Sequence, residues 1–246
     1  MSILGIDIGG SAVKGAPVDT AAGTLTADRL RIAVTRPAAP ETVAEAVAAV
    51  AARFPGAGPV GVTFPGVVRD GVALTAANLD DRWIGADAAA LFAAATGRPV
   101  TVLNDADAAG VAEMRFGAGR GRTGTVLVLT LGTGIGSALF TEGVLVPNTE
   151  FGHLELEGFD AETRAAARVR EEEHLDWPAW AERLAAYLRY VEKLVSPELI
   201  VLGGGVSRRA DRFVPLVTGV RAPVVPAVLG NAAGTVGAAL AAAAAA

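Results

Sequence analysis

The sequence predicts an α/β protein built from two similar halves. Three observations carry this. The strand–glycine turn–strand pattern SILGIDIGGSAVKG, which begins at Ser2, returns as TVLVLTLGTGIGSALF, which begins at Thr125. Short apolar strands alternate with longer Ala-rich stretches of helical periodicity in both halves. Hydrophobic residues make up 52 % of the 246 residues and charged residues 19 %, enough apolar surface for full cores and too little charge for a disordered chain.

In order, ILGIDIG reads as a buried strand ending in a glycine turn, AVKGAPVD as its returning partner and RLRIAV as a third strand. PETVAEAVAAVAARF reads as a helix with Pro40 near its start. GPVGVTFPG is an apolar strand with a Pro-Gly stop, and DAAALFAAATG a helix closed by Gly97. PVTVLND is a strand, followed by the helix ADAAGVAEMRFG. The pattern then restarts at Thr125. After NTEFGHLE the chain reads as helical, first through DAETRAAARVREEE and then through WPAWAERLAAYLRYVEKLV. ELIVLGGG is a strand with a third glycine cluster, and VVPAVLGNAAGTVGAALAAAA leads into a final helix expected to fold back on the N-terminal half. The expected domains are residues 1–103 joined by 236–246, and residues 104–235.

The bulk composition excludes several classes. The net charge of −5 argues against a protein that grips nucleic acid. Cys is absent and the only histidines are His153 and His174, so disulfides and thiolate metal sites are excluded and structural zinc is set aside. The N-terminal stretch reads as a strand without a basic flank, not as a signal peptide. The C-terminal run VGAALAAAAAA has 11 residues, too few to span a bilayer. The expectation is a cytoplasmic protein that engages neither nucleic acid nor membrane.

Within the opening stretch, Gly9, Gly10 and Ser11 can expose backbone N–H groups to an anion, and Lys14 can add a point charge. Asp7 can be read as a strand-end turn residue or as an oxygen ligand for Mg²⁺ beside bound phosphate. The sibling clusters LGTGIGS, with Thr133 and Gly134, and LGGG, with Gly203, Gly204 and Gly205, favour phosphate. A G-x-G-x-x-G spacing at Gly119, Gly121 and Gly124 precedes a strand, the wrong context for a dinucleotide. Asn104-Asp105 opens a helix, where both residues are good caps and where a carboxylate could also take a proton from an attacking hydroxyl. NTEFGHLE gathers Glu150, His153 and Glu155, the donors and acceptors a sugar requires, although a solvated Glu and a structural His are equally ordinary.

In order, GIDIGGSAVKG, LNDADAAG, LTLGTGIGS, EFGH and LGGG resemble the ROK family of sugar kinases and regulators, within the sugar kinase/Hsp70/actin superfamily. GVTFPGVV, TAANLDDRWIG and PNTEFGHLE are most similar to its actinobacterial polyphosphate glucokinase branch. The resemblance implies two actin-like (ribonuclease H-like) α/β domains with the active site in the cleft between them. It implies phosphorylation of the glucose 6-hydroxyl from polyphosphate, and from ATP as well. Carried over, Asp105 is the general base, while Asn104, Glu150 and His153 hold other hydroxyls. Asp7, Gly9, Gly10, Ser11, Lys14, Thr133 and Gly134 surround the donor phosphates and Mg²⁺, with Gly203 to Gly205 along the donor site. A homodimer is also implied.

The Cys-rich zinc motif that many members carry after GH is missing here, as it is in the polyphosphate branch. A further sugar-binding Glu is expected at Glu162, with Glu155 as its rival. Regulators of the family carry a DNA-binding helix-turn-helix ahead of the first strand, so a kinase is expected in place of a repressor. Arg115, Arg120 and Arg122, with Arg208, Arg209 and Arg212, can form an anionic track for polyphosphate or simply be solvated. Two competing functions are an ATP-only kinase for glucose, mannose, fructose or an N-acetylhexosamine, and a non-catalytic sugar-binding module.

Overall fold

A computed structural model describes residues 2–77 and 79–246. Asn78, part of the TAANLDDRWIG stretch, lies outside the described residues. Backbone packing divides the chain into two compact units, the segment up to Ala112 with Ala232–Ala246, and Glu113–Asn231.

In the first unit, β1 (Ser2–Gly9) and β2 (Ala12–Asp19) form the opening hairpin, followed by β3 (Thr24–Leu25) and β4 (Leu30–Ala33). Then come α1 (Pro40–Arg53), β5 (Val60–Phe64), the small hairpin β6 (Val68–Arg69) and β7 (Val72–Ala73), α2 (Ala88–Thr96), β8 (Val100–Asn104) and α3 (Asp105–Phe116). The sheet order is β3-β2-β1-β5-β8, with β4 also paired to β2. The local signals read from the sequence act where expected. Pro40 starts α1. Asp87 caps α2 by accepting the Ala90 N–H, and Gly97 closes it with φ +66°.

Alternation sorts the two faces of this sheet. Leu4, Ile6, Ile8, Val60, Val62 and Phe64 join the core beneath α1 and α2, around the buried Trp83 and Phe92. Gly5 and Gly61 sit on the opposite face and let the C-terminal helix α8 (Ala233–Ala244) approach the sheet backbone to backbone. The final helix thus packs on β1, β2, β5 and β8.

In the second unit, β9 (Val126–Leu131), β10 (Ile135–Thr141) and β11 (Val144–Val146) form a meander. It is followed by the hairpin β12 (Glu155–Leu156) and β13 (Phe159–Asp160), then α4 (Glu162–Ala165), α5 (Ala167–Glu172), α6 (Trp177–Val195), β14 (Leu199–Gly203), α7 (Ala210–Phe213) and β15 (Val224–Pro226). The sheet order is β11-β10-β9-β14-β15. Its path repeats that of the first sheet, which carries β4 in addition: an antiparallel hairpin, then two parallel neighbours. The duplication read from the two glycine hairpins is therefore present as topology. Leu127, Leu129 and Leu131 bury against α6, around Trp180 and Phe213.

Two sequence expectations are corrected. DAETRAAARVREEE is not one helix but two, α4 and α5, parted at Ala166 with φ −60° and ψ 152°. The buried Trp180 Nε1 lies 3.1 Å from the Ala165 carbonyl oxygen and 3.2 Å from that of Ala166, so tertiary partners take carbonyls that a continuous helix would use. Second, the packing units part inside α3, after Ala112, and not at the start of that helix. The reason is contact with α8: a Cβ on Gly237 would run into the Ala108 carbonyl oxygen. No described helix is long and apolar enough to cross a membrane.

Candidate functional site

Strands β1, β5 and β8 run parallel, so their carboxyl ends lie along one edge of the first sheet, where ligands of open α/β sheets bind. This edge carries Asp7, the Gly9-Gly10-Ser11 turn, the FPG turn and Asn104-Asp105. Asp7 is half-buried, and registers place it opposite both Lys14 and Thr63, so the three share a face. Thr63, fully buried, accepts the Ile8 N–H at 3.0 Å and donates its hydroxyl to Asp7 Oδ1 at 2.9 Å. A Cβ on Gly234, in the first turn of α8, would lie 2.9 Å from Asp7 Oδ1, so the carboxylate sits against a positive helix end. Gly10 also offers its carbonyl to Arg36 Nε. Gly9 is not among the glycines with left-handed φ, and a Cβ on it would meet nothing closer than the Ala12 carbonyl oxygen at 3.5 Å.

The chain passes from β8 into α3 at Asn104-Asp105. Asn104, 7 % exposed, accepts the N–H of Ala106 at 2.8 Å and of Asp107 at 3.0 Å, and donates to the Gly66 carbonyl at 3.1 Å. It is the cap of α3. Asp105, the next residue and half-buried, opens the helix, and its Oδ1 also accepts the Ala106 N–H, at 2.9 Å.

In the second unit, β9 and β14 are also parallel, so Thr133-Gly134 and Gly203–Gly205 lie at one sheet edge. Thr133 is exposed. Gly204 has φ +80°, and a Cβ there would collide with the backbone of Leu131, so only glycine fits this turn. Gly134 is kept bare by Glu162, whose Oε2 accepts the Ile135 N–H at 3.0 Å.

Ser137 pins the EFGH segment to β10: its hydroxyl donates to the Thr149 carbonyl at 2.6 Å and accepts the Phe151 N–H at 3.0 Å. Gly152 is buried, and a Cβ there would meet the Ile135 carbonyl oxygen. His153 is held beside Asp160, Nδ1 to Oδ2 2.8 Å, and its Nε2 lies 3.9 Å from Glu150 Oε2. Burial pushes the Glu150 carboxyl above the usual range, His153 opposes this, and Glu162 adds to it. The His153 imidazolium is stabilised chiefly by the Asp160 bond, against partial burial and with help from Glu162, Asp160 and Glu150. Glu150, His153 and Glu162 therefore form one electrostatic cluster. Glu155 is exposed on the hairpin, opposite Asp160 in the register, with its rival Glu162 inside the cluster.

One group of ligand atoms, from His153, Asp160 and Glu162, lies within 4.8 Å of one another, close enough for a cation. Their oxygens already serve as acceptors: Asp160 Oδ1 takes the Glu162 N–H at 3.1 Å, while Oδ2 faces His153. Arg115, Arg120, Arg122, Arg208, Arg209 and Arg212 are all exposed. Thr63, Arg36 and Asp160 escaped the sequence reading. Thr63 looks like one polar residue in a buried strand, and Asp160 lies outside every recognisable motif. Strand registers connect Thr63 and Asp160 to the site, and the bond to the Gly10 carbonyl connects Arg36.

Residues 3–174 match the ROK family. The polyphosphate glucokinase of Mycobacterium tuberculosis is 51 % identical over 238 residues, covering 96 % of this chain and 89 % of that protein. The crystal structure of the inorganic polyphosphate/ATP-glucomannokinase from Arthrobacter sp. strain KM superposes with a TM-score of 0.96 at 53 % identity, over 100 % of this chain and 99 % of that one. A ROK family glucokinase from Streptomyces griseus in complex with glucose and AMPPNP gives a TM-score of 0.81 at 25 % identity, covering 97 % and 98 % of the two chains.

Proposed function

The chain belongs to the ROK family, and from that premise we propose that it is a glucokinase that phosphorylates the 6-hydroxyl of glucose with inorganic polyphosphate, and with ATP as a second donor. Its α/β fold is that of the two-domain, actin-like ROK sugar kinases. One observation carries the reading: near full-length likeness to polyphosphate-using kinases coincides with a half-buried carboxylate, Asp105, at the start of α3 on the sheet edge that carries Asp7 and the glycine turn.

In this proposal Asp105 accepts the proton of the 6-hydroxyl while its oxygen attacks the terminal phosphorus. The new O–P bond forms as the bond to the remaining donor breaks, and the protein's share is positioning plus electrostatics. Asn104, Glu150, His153 and Glu162 hold the other hydroxyls. The amides around Gly9, Gly10, Ser11, Thr133 and Gly134, the Lys14 ammonium and the loop Gly203–Gly205 face the donor phosphates.

Asp7 suits Mg²⁺: it offers carboxylate oxygen, is oriented by Thr63, and lies beside the glycine turn. Bound there, Mg²⁺ would neutralise charge on the phosphates. A Cys-ligated zinc site has no part in the proposal, since the sequence lacks cysteine. A homodimer and a cytoplasmic setting complete it.

The test is glucose 6-phosphate formation with Mg²⁺, polyphosphate and ATP being supplied separately and Asp105→Asn serving as the contamination control. Activity with polyphosphate that vanishes in the control is the expected result. Activity with ATP alone would transfer the assignment to the ATP-only reading, which the AMPPNP complex of the Streptomyces relative favours. No turnover of glucose or mannose with either donor would leave the binding-module reading.

The exposed arginines are proposed to line the polyphosphate track. Raising ionic strength from about 0.01 M to about 0.1 M shortens the screening length from about 30 Å to about 10 Å. Over that range the KM for polyphosphate should rise at least about tenfold while that of uncharged glucose stays nearly constant. A flat polyphosphate KM would remove the arginines from the donor path.

A further inference from the structure

His153 carries more information than its place in the EFGH motif. Its side chain is 55 % exposed, yet one edge of the ring is fixed by Asp160 at 2.8 Å. A carboxylate can only accept, so the proton of that bond belongs to Nδ1. Asp160 is itself held on two sides. Its Oδ1 accepts the Glu162 N–H at 3.1 Å, and its carbonyl accepts the Thr163 hydroxyl at 2.6 Å.

The hairpin β12–β13 provides the geometry. Glu157 and Gly158 form its two-residue turn with φ +56° and +79°, the left-handed pair that primed turns require. That turn reverses the chain within a few residues and returns Asp160 to the side of His153. Nε2 is then the ring atom left over. At 3.9 Å from Glu150 Oε2 it is too distant for a hydrogen bond, on a ring more than half exposed.

We propose that Asp160 is a positioning residue of the sugar site: it holds the proton on His153 Nδ1 and fixes the ring so that Nε2 meets a substrate hydroxyl. This inference rests on the sugar-site reading above. The charged groups facing the imidazole are Asp160, Glu150 and Glu162, all acidic. They favour the imidazolium, in which Nε2 donates. On deprotonation the Nδ1 proton stays with Asp160, and Nε2 becomes an acceptor at the same place without any ring flip.

Asp160→Asn is the informative variant, because its amide oxygen can still accept the Glu162 N–H while the charge on His153 is lost. The chain has two histidines, so ¹⁵N-imidazole NMR, assigned with His174→Gln, reads the ring directly. In the wild type, neutral His153 should carry its proton on Nδ1. In Asp160→Asn that preference should be lost and the ring should titrate at lower pH. The glucose KM should rise about tenfold, with a much smaller change in kcat, by analogy with the loss of about 10–100-fold in metal affinity when the partner of a metal-bound His is removed. Asp160→Glu should restore part of the KM.

An unchanged ring in an active Asp160→Asn enzyme overturns the inference, even if KM rises, since Asp160 would then only brace the hairpin. Ring shifts in the wild type on adding Zn²⁺, reversed by EDTA, together with metal-dependent glucose binding, also overturn it, in favour of a cation at His153, Asp160 and Glu162. The NMR arm needs no turnover. A wild type inactive on glucose with the expected ring response overturns the sugar-site reading and leaves only the coupling.

Discussion

Replacing Asp105 by Asn should lower kcat for glucose phosphorylation by at least about 100-fold, because general base catalysis supplies about 10²–10⁴-fold. The substitution is nearly isosteric, and the amide cannot accept the hydroxyl proton. Folding should survive. Asn104 bonds the N–H groups of both Ala106 and Asp107, and an Asn at 105 keeps an amide oxygen for the Ala106 N–H that Asp105 Oδ1 also accepts, so the helix start should be kept. Losing its charge near the helix N-terminus should cost at most about 1 kcal/mol. The measurement is kcat with saturating glucose and polyphosphate, beside a urea unfolding curve. The glucose KM should change far less than kcat, because the hydroxyl ligands Glu150, His153 and Glu162 remain. A folded variant within tenfold of wild type would remove Asp105 as the base.

The same pair of residues shows where sequence reading works and where it stops. Asn-Asp at a strand-to-helix junction is legible, since both types cap helices. That Asn104 takes the Asp107 N–H as well as the Ala106 N–H it shares with Asp105 depends on the Gly66 carbonyl that orients the Asn104 amide. That carbonyl is delivered by the FPG turn of a neighbouring strand, far away in sequence. The glycine hairpins are likewise legible, and with them the repeated topology, because Gly after an apolar strand is a local signal. Their roles differ in ways the pattern does not reveal. Gly204 is required by its backbone conformation, Gly134 by the approach of Glu162, while Gly9 would meet nothing closer than 3.5 Å.

The misses share a cause. Ala166 sits in a stretch with good helix formers, and it is extended because the distant Trp180 indole binds carbonyls there. Intrinsic propensity is a weak preference that one buried donor can outweigh. Thr63 becomes meaningful only when the parallel register sets it beside Asp7. Asp160 becomes meaningful only when a two-residue turn with Glu in a left-handed conformation, a placement sequence rules disfavour, returns it to His153.

Gly61→Val should destabilise the protein by about 3 kcal/mol or more, at the upper end of what overpacking costs. A Cβ on Gly61 would fall well under 3.0 Å from the Ala238 carbonyl oxygen, and the obstacle is backbone that no rotamer change can move. Gly5 stands in the same relation to Thr235, and Gly237 to Ala108, so α8 meets β1, β5 and α3 through glycines at all three contacts. The helix cannot retreat cheaply: Val236, Ala238, Ala239 and Ala242 are buried beneath it, and retreat would expose them. Gly58→Ala is the control, since nothing lies within 4 Å of a Cβ there, and it should stay within about 0.5 kcal/mol of wild type. Urea unfolding of both variants makes the comparison. Gly61→Val unfolding at the wild-type midpoint would mean that α8 is not seated on this face. Seating matters to the chemistry as well as to stability. Gly234, in the first turn of the same helix, lies against Asp7. A displaced α8 should therefore weaken donor use in whatever fraction of Gly61→Val remains folded, by shifting the carboxylate proposed to hold Mg²⁺.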